Sequence, residues 1–120
     1  MGEKIFMRIH EVPTVVSDEF IVACERARIS RGRGFGLLCS FADLDTITTG
    51  MATCEKIKRK RCREVATIHV SPLTSDEEKF SEVVNELGVL KGPAAAGLLC
   101  AFRRKIYQKL TQALLSSEDK

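Results

Sequence analysis

Aromatic residues are scarce in this sequence. It has no tryptophan, one tyrosine and six phenylalanines, and most of these rings fall in apolar patterns typical of a core. Few rings are left to stack on bases, which argues against a platform for single-stranded nucleic acid. Long apolar runs are also missing, since none approaches the roughly 18 residues of a membrane-spanning helix. We therefore expect no membrane partner.

The five cysteines form no recognisable pattern. Their number is odd and no CxxC occurs, so the sequence predicts neither a disulfide framework nor a treble-cysteine zinc site. Cys54, Cys62 and His69 match no standard zinc module, and we expect no metal. Such cysteine usage is typical of a reducing, cytoplasmic compartment. Three cysteines are expected to pack in the core like small apolar residues, namely Cys24, Cys39 and Cys100.

Motifs of catalysis are missing too. The sequence contains no P-loop, no HExxH and no GxSxG, the short patterns that mark several large enzyme classes. His10 and His69 have no activated nucleophile near them in the sequence. We expect a protein that is not an enzyme, with no catalytic residues and no cofactor.

Charge is present but unevenly spread. The 120 residues carry 19 basic and 16 acidic side chains, a net charge of +3. Residues 26–63 alone carry a net charge of +7, and the segments on either side are acidic. A block this basic attracts polyanions through the release of counterions.

The strongest pattern is an internal repeat. GLLCSF at 36–41 recurs as GLLCAF at 97–102, and Ile9-His10 recurs as Ile68-His69. Further matches follow in the same order along about 40 residues, which indicates a true duplication. We predict two copies, 4–49 and 63–115, joined by a basic linker at 50–62 and folded together as one compact domain.

Each copy is predicted to form one strand followed by two helices. Apolar and polar residues alternate at 5–10 and 65–70, which is the pattern of a half-buried strand. In the second copy, Ser75 and Glu78 form a capping box for the first helix, and Gly88 ends it. The second helix then carries one apolar stripe from Leu99 to Ala113. In the first copy, residues 48–50 predict a break after the second helix.

The order of these segments carries a resemblance to a known family. In the second copy VATIHVSP, EEKFSEVVNELGV and LKGPAAAGLLCAFRRKI follow one another, and IFMRIHEVP, DEFIVACERARIS and RGRGFGLLCSFADL do so in the first. This order resembles the ribbon–helix–helix family, in the tandem single-chain form of a plasmid conjugation protein. The resemblance implies a mainly α fold with a small two-stranded antiparallel ribbon. It also implies that the duplicated strand–helix–helix units form a pseudo-dimer within one chain.

The resemblance implies double-stranded DNA as the ligand, with the ribbon in the major groove. Outward side chains of the strands would read the bases, and here these are Arg8, His10, Thr67 and His69. Phosphates would lie at the start of each second helix, where the helix dipole attracts anions. The basic run of the linker would add further phosphate contacts. The expected phosphate-contacting residues are Arg31, Gly32, Arg33, Gly34, Lys91, Gly92, Lys58, Arg59, Lys60 and Arg61.

On this basis the chain is a sequence-specific DNA-binding protein. We expect either a transcriptional regulator or an accessory factor of a conjugation relaxosome, with a relaxase or another DNA-processing protein as a further partner. It is expected to be a monomer, as a pseudo-dimer within one chain, and further assembly on DNA is left open. We expect Arg8 to face Thr67 across the ribbon, so the DNA site would be asymmetric and not a palindrome.

The alternative is a small helical protein-interaction module. An antitoxin, a phage or viral inhibitor, or an adaptor would use the basic band on an acidic partner or on RNA. The salt dependence of binding to duplex DNA separates this alternative from the DNA-binding hypothesis.

Overall fold

The computed structural model describes residues 3–60 and 64–118, which form two strands and six helices. The fold is mainly helical with a small two-stranded antiparallel sheet, as the sequence predicts. One strand followed by three helices occurs twice. We call β1 to α3 the first unit and β2 to α6 the second unit. The elements in chain order are β1 (Met7–Pro13), α1 (Thr14–Ala27), α2 (Arg31–Cys39), α3 (Leu44–Lys60), β2 (Val65–Val70), α4 (Thr74–Leu87), α5 (Lys91–Ala101) and α6 (Ile106–Glu118).

The two strands pair with each other along most of their length. Ile9 lies directly opposite Ile68, and Met7 lies opposite Val70. All four side chains are buried against the helices, because successive residues of a strand point to opposite faces. A bulge between Ile9 and Val12 shifts the register by one residue, and Glu11 takes the left-handed conformation there.

The third helix of each unit corrects the prediction of two helices per copy. In the first unit, α2 stops at Cys39 and the Asp43 carboxylate caps α3 by accepting the Thr46 N–H at 2.7 Å. In the second unit, the chain turns at residues 102–105, and Arg104 has a φ of 70°. The carboxylate of Glu19 accepts the N–H groups of Arg104 at 2.6 Å and of Ile106 at 3.2 Å. The predicted second helices are therefore each divided in two.

Two local predictions are also corrected. The break expected at residues 48–50 does not occur, and α3 continues without interruption to Lys60. The predicted boundary between residues 49 and 50 thus falls inside a helix, and the described part of the linker is helical. Ser75 does not cap α4, which begins at Thr74 without a side-chain cap. Gly88 ends α4 in the left-handed conformation, as predicted.

Helices α3 and α5 cross in close backbone contact. A β-carbon added at Gly50 would lie 2.6 Å from the carbonyl carbon of Gly97 and clash with its oxygen. One turn further along α3, Cys54 is joined to Cys100 of α5 by a disulfide, with the Cα atoms 5.8 Å apart. The sequence analysis did not predict this crosslink, although Cys100 is buried as expected. Cys24 and Cys39 are also buried and carry free thiols.

Among the described residues, no single helix is long and apolar enough to cross a membrane. Helices α4 and α5 together have the length and composition of a membrane-spanning segment, but the chain bends by 112° between them.

The crossing predicts a large effect of a very small substitution. Gly50→Ala should lower the free energy of unfolding by about 3 kcal/mol, because the added methyl group has no room against Gly97. Alanine is otherwise the better helix former by about 1 kcal/mol, so a loss can only come from the contact. Urea denaturation followed by circular dichroism measures the change.

Gly92→Ala is the matched control, because nothing lies within 4 Å of the added β-carbon at this helical glycine. Its free energy of unfolding should stay unchanged or rise by up to about 1 kcal/mol, because alanine is the better helix former. Equal stabilities of the two variants would show that α3 and α5 do not meet at Gly50.

Candidate nucleic-acid interface

The outer face of the ribbon is exposed to solvent. The inward residues of β1 and β2 are buried, so the alternate side chains project away from the helices. The sequence predicted Arg8, His10, Thr67 and His69 on one outward surface, and the structure brings all four together there. We call this surface the ribbon face, and it consists of Phe6, Arg8, His10, Val65, Thr67 and His69.

Cross-strand pairs on the ribbon face differ from the expectation. Arg8 lies opposite His69 and not opposite Thr67. The imidazole Nδ1 of His10 lies 3.3 Å from the hydroxyl oxygen of Thr67. In an antiparallel pair of duplicated strands, only residues at the centre face their own counterparts, and here these are Ile9 and Ile68. Arg8 therefore meets His69, and Thr67 meets His10, the histidine of the other copy in each case.

An exposed aromatic ring extends the ribbon face. Phe6 is 63% exposed, and its ring centroid lies 5.8 Å from that of His69. The guanidinium carbon of Arg8 also lies 5.8 Å from the Phe6 centroid, within the range of a cation–π contact. Phe6 and Val65 thus add exposed apolar surface to the ribbon face.

Basic residues of α2 lie at one end of the ribbon. A β-carbon at Gly32 would come within 2.6 Å of the Ser71 carbonyl oxygen, so the start of α2 packs directly against the segment that follows β2. Gly34 is also buried, but it packs against Cys24 and Phe20 of α1. Arg31 and Arg33, which precede and follow Gly32 in the sequence, are both exposed. The N–H of Arg33 is not free for an anion, because it donates to the Ser30 hydroxyl at 3.1 Å.

Basic residues of α3 lie at the other end of the ribbon. Lys58 forms ion pairs with Glu55 at 3.1 Å and with Glu11 in the bulge at 4.0 Å. The contact with Glu11 fixes the end of α3 beside β1. Arg59 and Lys60 are exposed next to it, whereas Arg61 lies outside the described residues. Cations therefore flank both ends of the ribbon face.

Lys91 at the start of α5 is paired with a buried carboxylate. Its ammonium group lies 2.6 Å from a carboxylate oxygen of Glu77, whose side chain is only 2% exposed. The hydroxyl of Ser81 donates to the other oxygen of this carboxylate. A buried carboxylate needs such partners to remain charged. Gly92 lies beside Lys91 in the first turn of α5, with open space above it.

The free thiols are not poised for nucleophilic chemistry. Burial raises the pKa of the Cys24 thiol to about 12. Burial, together with the nearby carboxylates of Glu77 and Asp76, also raises the pKa of the Cys39 thiol. Both groups are therefore protonated at neutral pH, and only the thiolate is a strong nucleophile. Within residues 3–60 and 64–118, no three His, Cys, Asp or Glu side chains are grouped to hold a metal ion.

Comparisons with protein families, with characterised proteins and with solved structures give no significant match to this chain. The resemblance to the ribbon–helix–helix family therefore stays a prediction.

The ion pair predicts that Lys91 acts in stability. Lys91→Gln should lower the free energy of unfolding by about 2 kcal/mol, because it leaves the Glu77 carboxylate buried without its cation. The loss is smaller than for a fully buried pair, since the Lys91 side chain is 43% exposed. Lys79→Gln is the control, because the ammonium of Lys79 donates to the Ser40 carbonyl at the exposed surface, at 2.9 Å. Unchanged urea midpoints in both variants would show that the ion pair of Lys91 with Glu77 does not stabilise the fold.

Proposed function

We propose that this chain binds double-stranded DNA with the ribbon face in the major groove. The observation that carries the proposal is the pairing of β1 and β2 within one chain, with Arg8, His10, Thr67 and His69 on its exposed side. The major groove is about 12 Å wide and admits a two-stranded ribbon. Two strands lie about 4.8 Å apart, so the ribbon with its side chains fits this width.

The side chains of the ribbon face have the chemistry of base recognition. A guanidinium group such as that of Arg8 can donate two hydrogen bonds to guanine. The methyl group of Thr67 can contact the methyl group of thymine, and its hydroxyl and the two imidazoles can donate or accept. The face thus combines one guanidinium group with a hydroxyl and two imidazoles, so most of it would select hydrogen-bond patterns on the bases.

The flanking cations would contact the DNA backbone. Arg31 and Arg33 at one end and Arg59 and Lys60 at the other extend the positive charge beyond the ribbon. Phosphate contacts fix the register of a protein on the duplex and make its affinity depend on salt. The proposal does not assign this role to Lys91, because its ammonium group is paired with Glu77.

We further propose that the two units form a pseudo-dimer of the ribbon–helix–helix type. Residues that the repeat aligns with each other also meet in space: Ile9 faces Ile68, and the rings of Phe41 and Phe102 lie 5.8 Å apart. Such self-contacts occur where a two-fold axis passes between equivalent elements. The third helix of each unit is an addition to the family pattern.

The pseudo-dimer has unequal halves where it would touch DNA. Arg8 and Thr67 occupy equivalent positions, as do Phe6 and Val65. A single chain would therefore recognise an asymmetric site. A transcriptional regulator and a conjugation accessory factor both use such a contact, and the proposal covers both roles.

The first test measures binding to a fluorescent duplex of mixed sequence by anisotropy, between about 50 and 200 mM salt. The logarithm of the affinity should fall against the logarithm of salt concentration with a slope of about −3 or steeper, because several phosphates are neutralised. No binding at about 50 mM salt would overturn the proposal and favour the protein-interaction module.

The second test locates the contact on the ribbon. A preferred duplex is first selected from a random pool, and Arg8→Gln is then compared with the charge-matched control Lys79→Gln. Arg8→Gln should cost about 1–3 kcal/mol on the selected site and much less on random duplex, because base contacts act only on the specific site. The control should bind both duplexes nearly as the unsubstituted protein does. Equal losses for Arg8→Gln on both duplexes would make Arg8 a phosphate contact.

A further inference from the structure

A second cationic site lies in a cleft of about 730 Å³ between α1, α3 and the turn at residues 102–105. This volume is within the range of small-molecule sites, which is about 300–1,000 Å³. None of the ribbon-face residues lines the cleft. Its lining consists of Val15, Val16, Glu19, Thr53, Lys56, Ile57, Lys60, Arg103 and Arg104.

Four cations converge on this cleft from two separate parts of the chain. Lys56 and Lys60 lie one turn apart on α3, and Arg103 and Arg104 lie in the turn between α5 and α6. In the part of the chain that the structure describes, none of the four side chains forms an ion pair with a carboxylate. Neighbouring Lys58, by contrast, is paired with Glu55 and Glu11.

The turn that carries the two arginines is held in place by the wall of the cleft. Glu19 on α1 accepts the N–H groups of both Arg104 and Ile106. Its negative charge is thereby directed at the start of α6, where the helix dipole is positive. Arg104 adopts a φ of 70°, a conformation that a non-glycine residue keeps only when the surrounding structure enforces it. The backbone that carries Arg103 and Arg104 is therefore held in one conformation.

The floor of the cleft is apolar. Val16 and Ile57 are almost completely buried, and Val15 is 56% exposed at the rim. The exposed side chain of Val15 leaves apolar surface in contact with water. The four cations beside it carry like charges, which repel each other. A ligand with an anionic end and an apolar part would relieve both.

We propose that this cleft binds a small phosphorylated organic molecule. Its phosphate groups would lie between the α3 lysines and the paired arginines, and its apolar part would pack on Val15, Val16 and Ile57. Guanidinium and ammonium groups are the usual protein donors to phosphate, and Arg103 and Arg104 add the planar, two-pronged geometry that suits it. Lys60 belongs both to this cleft and to the cations that flank the ribbon face, so the tests below substitute Lys56 and Arg103, which the DNA-binding proposal does not use.

Calorimetric titration with inorganic tripolyphosphate tests the anionic end. We expect saturable binding to the full chain, weakened about tenfold or more in the double variant Lys56→Gln/Arg103→Gln, which removes one cation from each side of the cleft. The control is Lys79→Gln together with Lys105→Gln, which removes the same total charge at positions outside the lining. Absence of binding at about 1 mM tripolyphosphate, or equal weakening in both double variants, would overturn the proposal.

Two triphosphates test the apolar part. ATP and methyl triphosphate carry the same charged group, and only ATP has a large organic body. ATP should bind about tenfold tighter, because burying part of its body on the apolar floor adds more than 1 kcal/mol. Equal affinities would mean that the cleft holds phosphate without an organic ligand, and the proposal would fail in this form.

Binding of the double variant to duplex DNA and to ATP shows whether the cleft takes phosphate from a small molecule or from the DNA backbone. The proposal predicts that Lys56→Gln/Arg103→Gln leaves duplex affinity nearly unchanged while ATP binding is lost. If the double variant lost affinity for duplex DNA and for ATP to the same extent, the cleft would be a binding site for the DNA backbone. That result would contradict a small-molecule site. Retained ATP binding in a protein that binds no DNA would leave this proposal standing and remove the other.

Discussion

The backbone contact between α3 and α5 at Gly50 and Gly97 is the constraint on which the rest of the fold depends. These helices belong to different units, so their close approach joins the two units into one core. Helix α5 also packs beneath β1, and β1 in turn pairs with β2. The disulfide between Cys54 and Cys100 crosslinks the same pair of helices. A wider spacing at this crossing would separate the helical layer from the ribbon that it supports.

The position of the ribbon explains how the outward side chains of two strands come to share one exposed surface. Burial of Ile9 and Ile68 on one side forces Arg8 and His69 outward on the other, since side chains alternate along a strand. The helix ends that meet the ribbon bring cations to both of its ends. The same chain thus combines a hydrogen-bonding centre with a charged periphery, which is the usual division between base and phosphate contacts in DNA recognition.

Local patterns in the sequence predicted the parts of this arrangement that depend on neighbouring residues. Strand alternation placed the outward residues correctly, and Gly88 ended α4 where expected. The division of the second helices was missed because Leu99, Phe102, Ile106 and Leu110 keep helical spacing across the turn. That turn is stabilised by Glu19, which is 85 residues away from Arg104 in the chain.

Partners that are distant in the sequence explain the remaining differences at the candidate sites. Nothing near Lys91 indicates that Glu77 will neutralise it, and nothing near Arg103 indicates that Lys56 will lie across a cleft from it. The cross-strand partner of Arg8 was predicted wrongly because counterparts in the repeat were assumed to face each other. Only the central pair does so in an antiparallel ribbon.

Backbone amide NMR spectra recorded during titration with duplex DNA test the central claim most directly. The account predicts that the largest shifts fall on β1 and β2, around Arg8 and His69, with smaller shifts at Arg31 and Lys60 and little change along α4. Large shifts confined to the helices, with the ribbon unaffected at saturating DNA, would contradict it.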